Sequence, residues 1–251
     1  MLKLFFMRNL MSELSIKTLS VVIPAYNEAE RIIVTLKKLN FSLESLGIPY
    51  EIIIVDDGSG DSTSEVACSL QNSNFKLISY KPNRGKGYAV RMGLGAAKGE
   101  YVIFMDADGS TDLAYLERFL HLILNHDYDI IIGSRTVSGS CLPIKQNLWR
   151  RITGIVFRAL VRILFFLPYS DTQCGFKMFS STCLKMLLPR CDADGFIFDI
   201  EMLYQARKLG LNVIEVGVKW NNDDDSRVNL INGPIKMFVD LLKLRLKTFI
   251  K

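Results

Sequence analysis

The sequence predicts an α/β protein with a mostly parallel central sheet and helices on both faces of that sheet. Short apolar runs alternate with segments of helical periodicity along the chain. These runs are apolar throughout, which indicates strands that are buried on both faces. Carboxylates directly follow several of the runs, as Asp106 and Asp108 follow residues 101–105. Ligands of such sheets bind beyond the carboxyl ends of the strands, so these carboxylates are predicted to line one crevice.

The first half of the chain contains three predicted strands, each followed by a helix. Residues 19–23 form the first strand, which ends because Pro24 cannot join a strand ladder. Asn27 and Glu28 suit a helix start, and this helix runs to about Leu46. The other strands in this half are residues 51–55 and 76–79, and the other helices are about 62–70 and 88–97.

The same alternation continues with a strand at 101–105, a helix at 113–124 and a strand at 129–133. A chain of 251 residues with 49% hydrophobic content can bury one large core. We therefore predict one domain over residues 18–228, a poorly structured lead-in over residues 1–17 and a C-terminal basic helix over residues 229–251.

Cysteine usage and hydropathy limit the class of protein. The five cysteines are odd in number and form no Cys-x-x-Cys pair, which argues for a reducing compartment and against a zinc site. Lysine or arginine interrupts every apolar stretch before the roughly 20 residues that a bilayer span requires. Residues 1–7 are too short for a signal peptide, so we predict neither an anchor nor secretion.

The net charge of +5 is concentrated in two segments. Residues 145–168 contain five basic residues and no acidic one, and on a helix the arginines from Arg150 to Arg162 fall within an arc of about 120°. Apolar residues from Ile152 to Leu167 occupy the other side. Such a helix suits the interface of an anionic membrane, although an ordinary helix packed on the core remains an alternative. The terminal helix has lysines on one face in the same way, at Lys236, Lys243, Lys247 and Lys251.

The pair Asp106 and Asp108 at a strand end predicts a site for a hard divalent cation, Mg²⁺ or Mn²⁺, bound together with a diphosphate. A calcium loop is disfavoured because Gly109 is in the fourth position of the loop and not in the sixth, and because a strand precedes it. A plain Asp-rich turn is the remaining alternative. The chain has neither a Gly-x-Gly-x-x-Gly motif after its first strand nor a Walker A loop, which disfavours dinucleotide enzymes and P-loop ATPases.

Several segments resemble the ordered motifs of family 2 glycosyltransferases with the GT-A fold. They are VIPAYNE at 22–28, VDDGS at 55–59, GKGYAVR at 85–91 and DAD at 106–108. Later segments resemble the dolichyl-phosphate β-glucosyltransferase branch of that family, namely DTQCGFK at 171–177, GFIFDIE at 195–201, EVGVKW at 215–220 and SRV at 226–228. The resemblance extends from about residue 18 to residue 242.

On the donor side, the resemblance implies that Tyr26 stacks on a base and that Glu28 accepts a hydrogen bond from ribose or base. Asp57, more than Asp56, would accept from the base, the alternative being that one of the two caps the turn. Lys86 would neutralise donor phosphate, or it is a solvated loop lysine. The donor-side residues are Pro24, Tyr26, Glu28, Asp56, Asp57, Lys86 and Arg227. Relatives often carry Gln where this chain has Ser110, which leaves the third metal contact open.

On the acceptor side, Arg135 ends a strand beside the crevice, and Gln173 and Lys177 are expected in a following loop. Three donor groups of this kind suit a phosphate, which Arg135 can bind through two nitrogens. A phosphate monoester is already ionised near pH 7, so its attack does not require a general base. Asp199 is a candidate base or orienting group, with helix capping as its alternative. The predicted catalytic residues are Asp108, Asp199 and Arg135.

The resemblance implies an inverting transferase that moves glucose from UDP-glucose to dolichyl or polyprenyl phosphate. A mannosyl or other sugar transferase, acting on the same lipid or on a polysaccharide, is the first alternative. A catalytically inactive nucleotide-sugar binding protein is the second. The expected partners are a nucleotide-sugar donor, a polyprenyl phosphate and the cytoplasmic face of a membrane, contacted peripherally. The acidic crevice and the absence of an aromatic ladder disfavour nucleic acid.

Overall fold

The computed structural model describes residues 18–69, 73–140, 148–220 and 232–250. A seven-stranded sheet with the order β3-β2-β1-β4-β6-β5-β7 lies at its centre. The strands are β1 (Leu19–Ala25), β2 (Tyr50–Asp56), β3 (Phe75–Ser79), β4 (Tyr101–Met105), β5 (Ile130–Ser134), β6 (Phe176–Ser180) and β7 (Val213–Gly217). Strand β6 is antiparallel to β4 and β5, and the other pairings are parallel.

Helices follow most strands and cover both faces of the sheet. They are α1 (Ala29–Leu46), α2 (Thr63–Ser69), α3 (Lys86–Ala96), α4 (Ala114–Asn125), α5 (Leu148–Phe165), α6 (Ser181–Leu187), α7 (Phe198–Lys208) and α8 (Asn232–Ile250). A short 3-10 turn at Leu188–Arg190 follows α6.

The core has two layers because alternate residues of each buried strand point to opposite faces. On β1, Val21 and Ile23 pack in the layer that contains α1, α2 and α4. Val22, between them, packs in the layer that contains α3 and α5 to α8. The prediction of an α/β sheet covered on both faces is therefore confirmed.

Two features of the sheet were not predicted. Strand β6 inserts between β4 and β5 in the antiparallel direction, and β7 closes the edge beside β5. The prediction that Lys177 lies in a loop was wrong, because Lys177 is the second residue of β6 and pairs with both Phe104 and Ile132. Helix α3 begins at Lys86, two residues earlier than expected.

The two basic helices, α5 and α8, pack against each other and each contributes to the core. Val161 and Phe165 of α5 are buried, whereas Ile155 and Ile163 are 51% and 65% exposed. Leu167, expected on the apolar side of a helix, lies past the end of α5 and is buried. No helix in the described ranges is both long enough and apolar enough to cross a bilayer.

Candidate active site

The predicted metal carboxylates lie where β4 ends, and the loop that carries them is held on both sides. The backbone N–H of Asp106 donates to Gly175 O at 3.1 Å, across the antiparallel β4–β6 pair. Thr35 Oγ1 of α1 donates to Ala107 O at 2.8 Å. Thr111 forms an isolated antiparallel bridge with Trp220. The position of Asp106 and Asp108 therefore depends on three distant parts of the chain.

Gly175 lets β6 approach the Asp106 carboxylate closely. A Cβ atom at residue 175 would lie 1.9 Å from Asp106 Oδ2, well inside van der Waals contact. A glycine is therefore required here so that the backbone can pass beside this carboxylate. The requirement comes from a residue 69 positions away in the sequence, so it could not be deduced from local pattern.

Lys86 forms an ion pair with Asp106, with 2.5 Å between Nζ and Oδ1. Asp106 Oδ1 is a buried oxygen that has no other partner among the described residues. Burial alone would lower the pKa of Lys86, but the negative charges of Asp106, Asp199 and Asp108 outweigh burial and raise it. Lys86 is therefore a stable cation in the crevice, which favours the predicted contact with phosphate.

The residues at this strand end suit a divalent cation. A buried carboxylate oxygen without a hydrogen-bond partner is an oxygen ligand of the kind that Mg²⁺ and Mn²⁺ prefer. Burial and the neighbouring charge of Asp106 raise the pKa of Asp108, a repulsion that a bound cation would relieve. The described residues contain no cluster of three or more metal-ligating side chains, so diphosphate oxygens and water would complete the shell.

Ser110 supports Asp108 in this structure. Its backbone N–H donates to Asp108 Oδ1 at 2.9 Å, and the serine is almost fully buried. The two residues form a tight Asx turn in which Gly109 has a positive φ of 64°. Ser110 therefore orients the Asp108 carboxylate, which gives it a structural role that does not depend on contact with a metal.

Asp56, the last residue of β2, and Asp57, which follows it, are both buried and both hydrogen-bonded within the protein. Asp56 accepts from Ser59 N at 2.9 Å and from the hydroxyls of Ser64 and Ser79. Asp57 accepts four hydrogen bonds, two at each oxygen, from Tyr80 OH, Asn83 Nδ2, Arg84 N and Gly85 N. A carboxylate has about four such positions, so Asp57 would have to exchange a partner to contact a base. Its role in base recognition stays a prediction.

Three of the remaining predicted donor-side residues lie at the end of β1 and in the loop that leads to α1. Pro24 belongs to the end of β1, and Tyr26 is 44% exposed, so its ring is available for stacking. Glu28 forms a bidentate ion pair with Arg31, with 2.7 Å for each contact. The backbone N–H groups of Asn27 and Glu28 donate to Ser59 and Thr63, which ties this loop to the one after β2. Arg227 lies outside the described residues.

Arg135, a predicted acceptor residue, makes three contacts with Asp171. Its backbone N–H and Nε donate to Oδ2 at 3.0 and 2.7 Å, and Nη2 donates to Oδ1 at 2.9 Å. Burial alone would raise the pKa of Asp171, but Arg135 lowers it to about 2. Glu215 of β7 accepts from the backbone N–H of Asp171 at 2.8 Å. Arg135 also lies over the Trp220 ring, at 5.1 Å from its centroid.

Lys177 and Asp199 form a buried ion pair beneath the crevice. Lys177 Nζ donates to Asp199 Oδ1 at 2.6 Å and to Cys174 O at 2.5 Å, and both side chains are almost completely buried. Burial raises the pKa of Asp199, and the charges of Lys177 and Lys86 oppose that rise. Gln173 donates to Phe196 O at 3.1 Å. Contact of Lys177 with an acceptor phosphate stays a prediction, and it requires the almost completely buried ammonium group to become accessible.

Comparison with known proteins assigns the family. The model of glycosyl transferase family 2 matches residues 20–187 of this chain. A dolichyl-phosphate β-glucosyltransferase of Dictyostelium discoideum is 38% identical over 242 residues, which is 91% of this chain and 74% of the relative. The chain belongs to glycosyltransferase family 2. The human enzyme of the same name is 34% identical over 245 residues, 92% of this chain and 76% of that relative.

Solved structures identify the fold of this family 2 glycosyltransferase as GT-A. Glucosyl-3-phosphoglycerate synthase of Mycobacterium tuberculosis superposes with a TM-score of 0.72 at 20% identity, covering 96% of this chain and 84% of the other. A complex of that synthase with Mn²⁺, UDP and glucosyl-3-phosphoglycerate also superposes with a TM-score of 0.72 at 20% identity, covering 96% and 83% of the two chains. The expected fold is thereby confirmed.

Several residues that shape the site were not predicted as site residues. Asp171 and Glu215 order the Arg135 side chain, and Asn83 and Tyr80 order Asp57. Asp171 and Glu215 stand in motifs that carry the family resemblance, which was the one signal available for them. Tyr80 and Asn83 are polar residues after a short strand, and local sequence did not distinguish them from ordinary loop residues.

Proposed function

We propose that this family 2 glycosyltransferase moves glucose from UDP-glucose to a dolichyl or polyprenyl phosphate, with inversion from an α-linked to a β-linked sugar. The similarity to dolichyl-phosphate β-glucosyltransferases over about nine-tenths of the chain supports the donor and the acceptor. The geometric observation that carries the proposal is the buried Asp106 oxygen without a hydrogen-bond partner, beside Asp108 and Lys86 at the carboxyl end of β4.

Asp106 and Asp108 would hold Mg²⁺ or Mn²⁺, which stabilises the negative charge of the departing diphosphate. Lys86, whose ammonium group forms an ion pair with Asp106, would neutralise a further part of that charge. Tyr26 would stack on the base at the exposed end of β1. The acceptor phosphate is an anion near pH 7 and can attack without a general base, which leaves Asp199 as an orienting group in its pair with Lys177.

A lipid acceptor requires access to a membrane surface, and the exposed apolar residues of α5 and α8 supply a candidate. On α5 these include Ile155, Val156 and Ile163, with the exposed Arg162 at their edge. On α8, Phe238, Leu242 and Leu246 recur every four residues and form one exposed row. Exposed apolar side chains flanked by basic ones are typical of helices that lie in a membrane interface. We propose peripheral contact with the cytoplasmic face through this paired-helix surface.

Transfer of labelled glucose tests the proposed reaction. The protein is mixed with UDP-glucose, dolichyl phosphate and Mn²⁺ or Mg²⁺, and the lipid product is separated and its anomeric configuration determined. We expect a β-linked product that depends on metal. GDP-mannose in place of UDP-glucose tests the alternative donor, and no product with any nucleotide sugar would refute the assignment as an active transferase.

Vesicle binding tests the membrane surface separately from catalysis. Ile163→Asp and Leu246→Asp each place a charge in the exposed apolar surface. Each should weaken binding to anionic vesicles by roughly tenfold or more, because the burial free energy of one aliphatic side chain is lost. Phe41→Asp is the matched control, because Phe41 is 75% exposed but lies on α1, on the other face of the sheet. Equal binding of all three variants would contradict the proposed surface.

A further inference from the structure

Glu201 is a buried carboxylate to which the proposed reaction assigns no role. It lies in α7, and its side chain is about 1% exposed. One oxygen, Oε2, accepts from the backbone N–H groups of Asp192 and Ala193 at 2.8 and 2.7 Å. The other oxygen, Oε1, lies 3.5 Å from Lys247 Nζ of α8, and Lys247 also binds the Asp192 carboxylate. Glu201 and Lys247 therefore hold residues 192–194, here called the capping loop, from two sides.

The capping loop takes the place of an N-cap side chain for helix α3. The first N–H groups of a helix have no partner within the helix, and Gly85 at the N-cap position supplies no side chain. Asp194 O accepts from Gly87 N at 2.8 Å and from Tyr88 N at 3.2 Å. The Arg91 guanidinium, one turn further on, donates to Ala193 O and to the Asp194 carboxylate. The capping loop thereby fixes where α3 begins.

Close packing makes this attachment tight. A Cβ atom at residue 87 would lie 2.3 Å from Ala193 O, and one at residue 85 would lie 2.5 Å from Asp194 O. Glycines on both sides of Lys86 therefore allow the capping loop to lie directly against the backbone that carries Lys86. Any displacement of the capping loop is transmitted to Lys86, whose ammonium group is 2.5 Å from Asp106.

We propose that Glu201 is a positioning residue for Lys86, acting through the capping loop, and that Lys247 connects this arrangement to α8. The consequence for the reaction rests on the proposed function, since Lys86 is the residue expected to meet the donor diphosphate. The arrangement joins the helix with the exposed apolar row to the metal end of the crevice.

Hydrogen exchange of the full chain without ligands tests the structural connection. In Glu201→Met, which is similar in size but accepts no hydrogen bond, the amides of Gly87 and Tyr88 should exchange faster, while those of β4 keep their protection. Glu201→Gln keeps one acceptor oxygen and should restore most of the protection. Arg190→Gln is the matched control, since Arg190 lines the same small cleft as Glu201 but donates to Met186 O. Unchanged exchange at residues 87 and 88 in Glu201→Met would overturn the proposal.

A double-mutant cycle with Lys86→Met tests whether the effect reaches the donor. In the otherwise unchanged protein, Glu201→Met should raise KM for UDP-glucose by roughly tenfold, which is the scale of one lost hydrogen bond to a charged group. The effect on KM for dolichyl phosphate should be smaller. In the Lys86→Met background it should raise donor KM by less than about twofold. Fully additive effects would refute positioning through Lys86. If the wild-type protein transfers no glucose, the proposed function fails, and the hydrogen-exchange result still decides the connection.

Discussion

Replacing Lys177 with methionine gives the sharpest test of the charge arrangement beneath the crevice. Methionine matches the length of the aliphatic stem but leaves Asp199 without its nearest cation. Lys177 Nζ donates to Asp199 Oδ1 at 2.6 Å, and the two side chains are 1% and 4% exposed. Water therefore cannot replace the lost partner unless the structure opens.

The size of the effect follows from this burial. Removing one partner of a fully buried ion pair costs about 3–5 kcal/mol, because the remaining charge is left in a medium of low polarity. Cys174 O also loses the hydrogen bond that it accepts from Lys177 at 2.5 Å. For a domain of this length, such a loss lowers the melting temperature by on the order of 10 °C. The same change at an exposed lysine should cost less than about 1 kcal/mol.

The loss of stability should depend on pH in a direction that the structure determines. Burial raises the pKa of Asp199, and the charge of Lys177 opposes that rise, so the pKa rises further when Lys177 is removed. A carboxyl whose folded pKa is above its unfolded pKa loses stability as the pH rises through the folded value. The free energy of unfolding, measured by urea denaturation, should therefore fall further below wild type at about pH 8 than at about pH 5.

The control is the double variant in which Lys177→Met is combined with Asp199→Asn. Neutralising the stranded carboxylate should recover most of the lost stability at about pH 8, because no unpaired charge then remains. A loss below about 1 kcal/mol in the single variant, or a loss that is the same at both pH values, would refute the reasoning.

Three further predictions concern the two ends of the crevice. Gly175→Ala should displace the Asp106 carboxylate, which lowers turnover by at least about tenfold in the glucose-transfer assay and costs about 1–3 kcal/mol of stability in urea denaturation. A fully active variant would contradict the 1.9 Å approach of residue 175 to Asp106. Asp108→Ala should abolish metal-dependent turnover. Its melting temperature without Mn²⁺ should equal or exceed that of wild type, because burial and Asp106 raise the pKa of Asp108 and so make its charged form unfavourable in the folded protein. Arg135 lowers the pKa of Asp171 to about 2, so the stability from this pair is complete above about pH 4 and is lost as the pH falls towards 2. Between these pH values, the melting temperature of Asp171→Asn should therefore fall by less than that of wild type.

The sequence by itself was sufficient to predict the α/β architecture and the sheet that helices cover on both faces. Fully apolar strands such as β1 and β4 must be buried on both faces, and polar residues that follow parallel strands meet at one edge. Both rules depend on local pattern, so Asp57, Asp106 and Asp108 could be assigned to one crevice before their contacts were known. The ordered motifs also predicted the family, because several short matches in the same order along the sequence are far more specific than one match.

Only the tertiary structure decided what each charged residue contacts. Lys177 was expected in a loop, but it lies in β6, on the face that points to α7, where it forms an ion pair with Asp199. Asp57 already accepts four hydrogen bonds, and Gly175 is constrained by a carboxylate from another strand. These contacts join segments that are distant in sequence and meet because β6 inserts antiparallel between β4 and β5. Local periodicity carries no information about that insertion, since strand order is determined by how the whole chain packs its core.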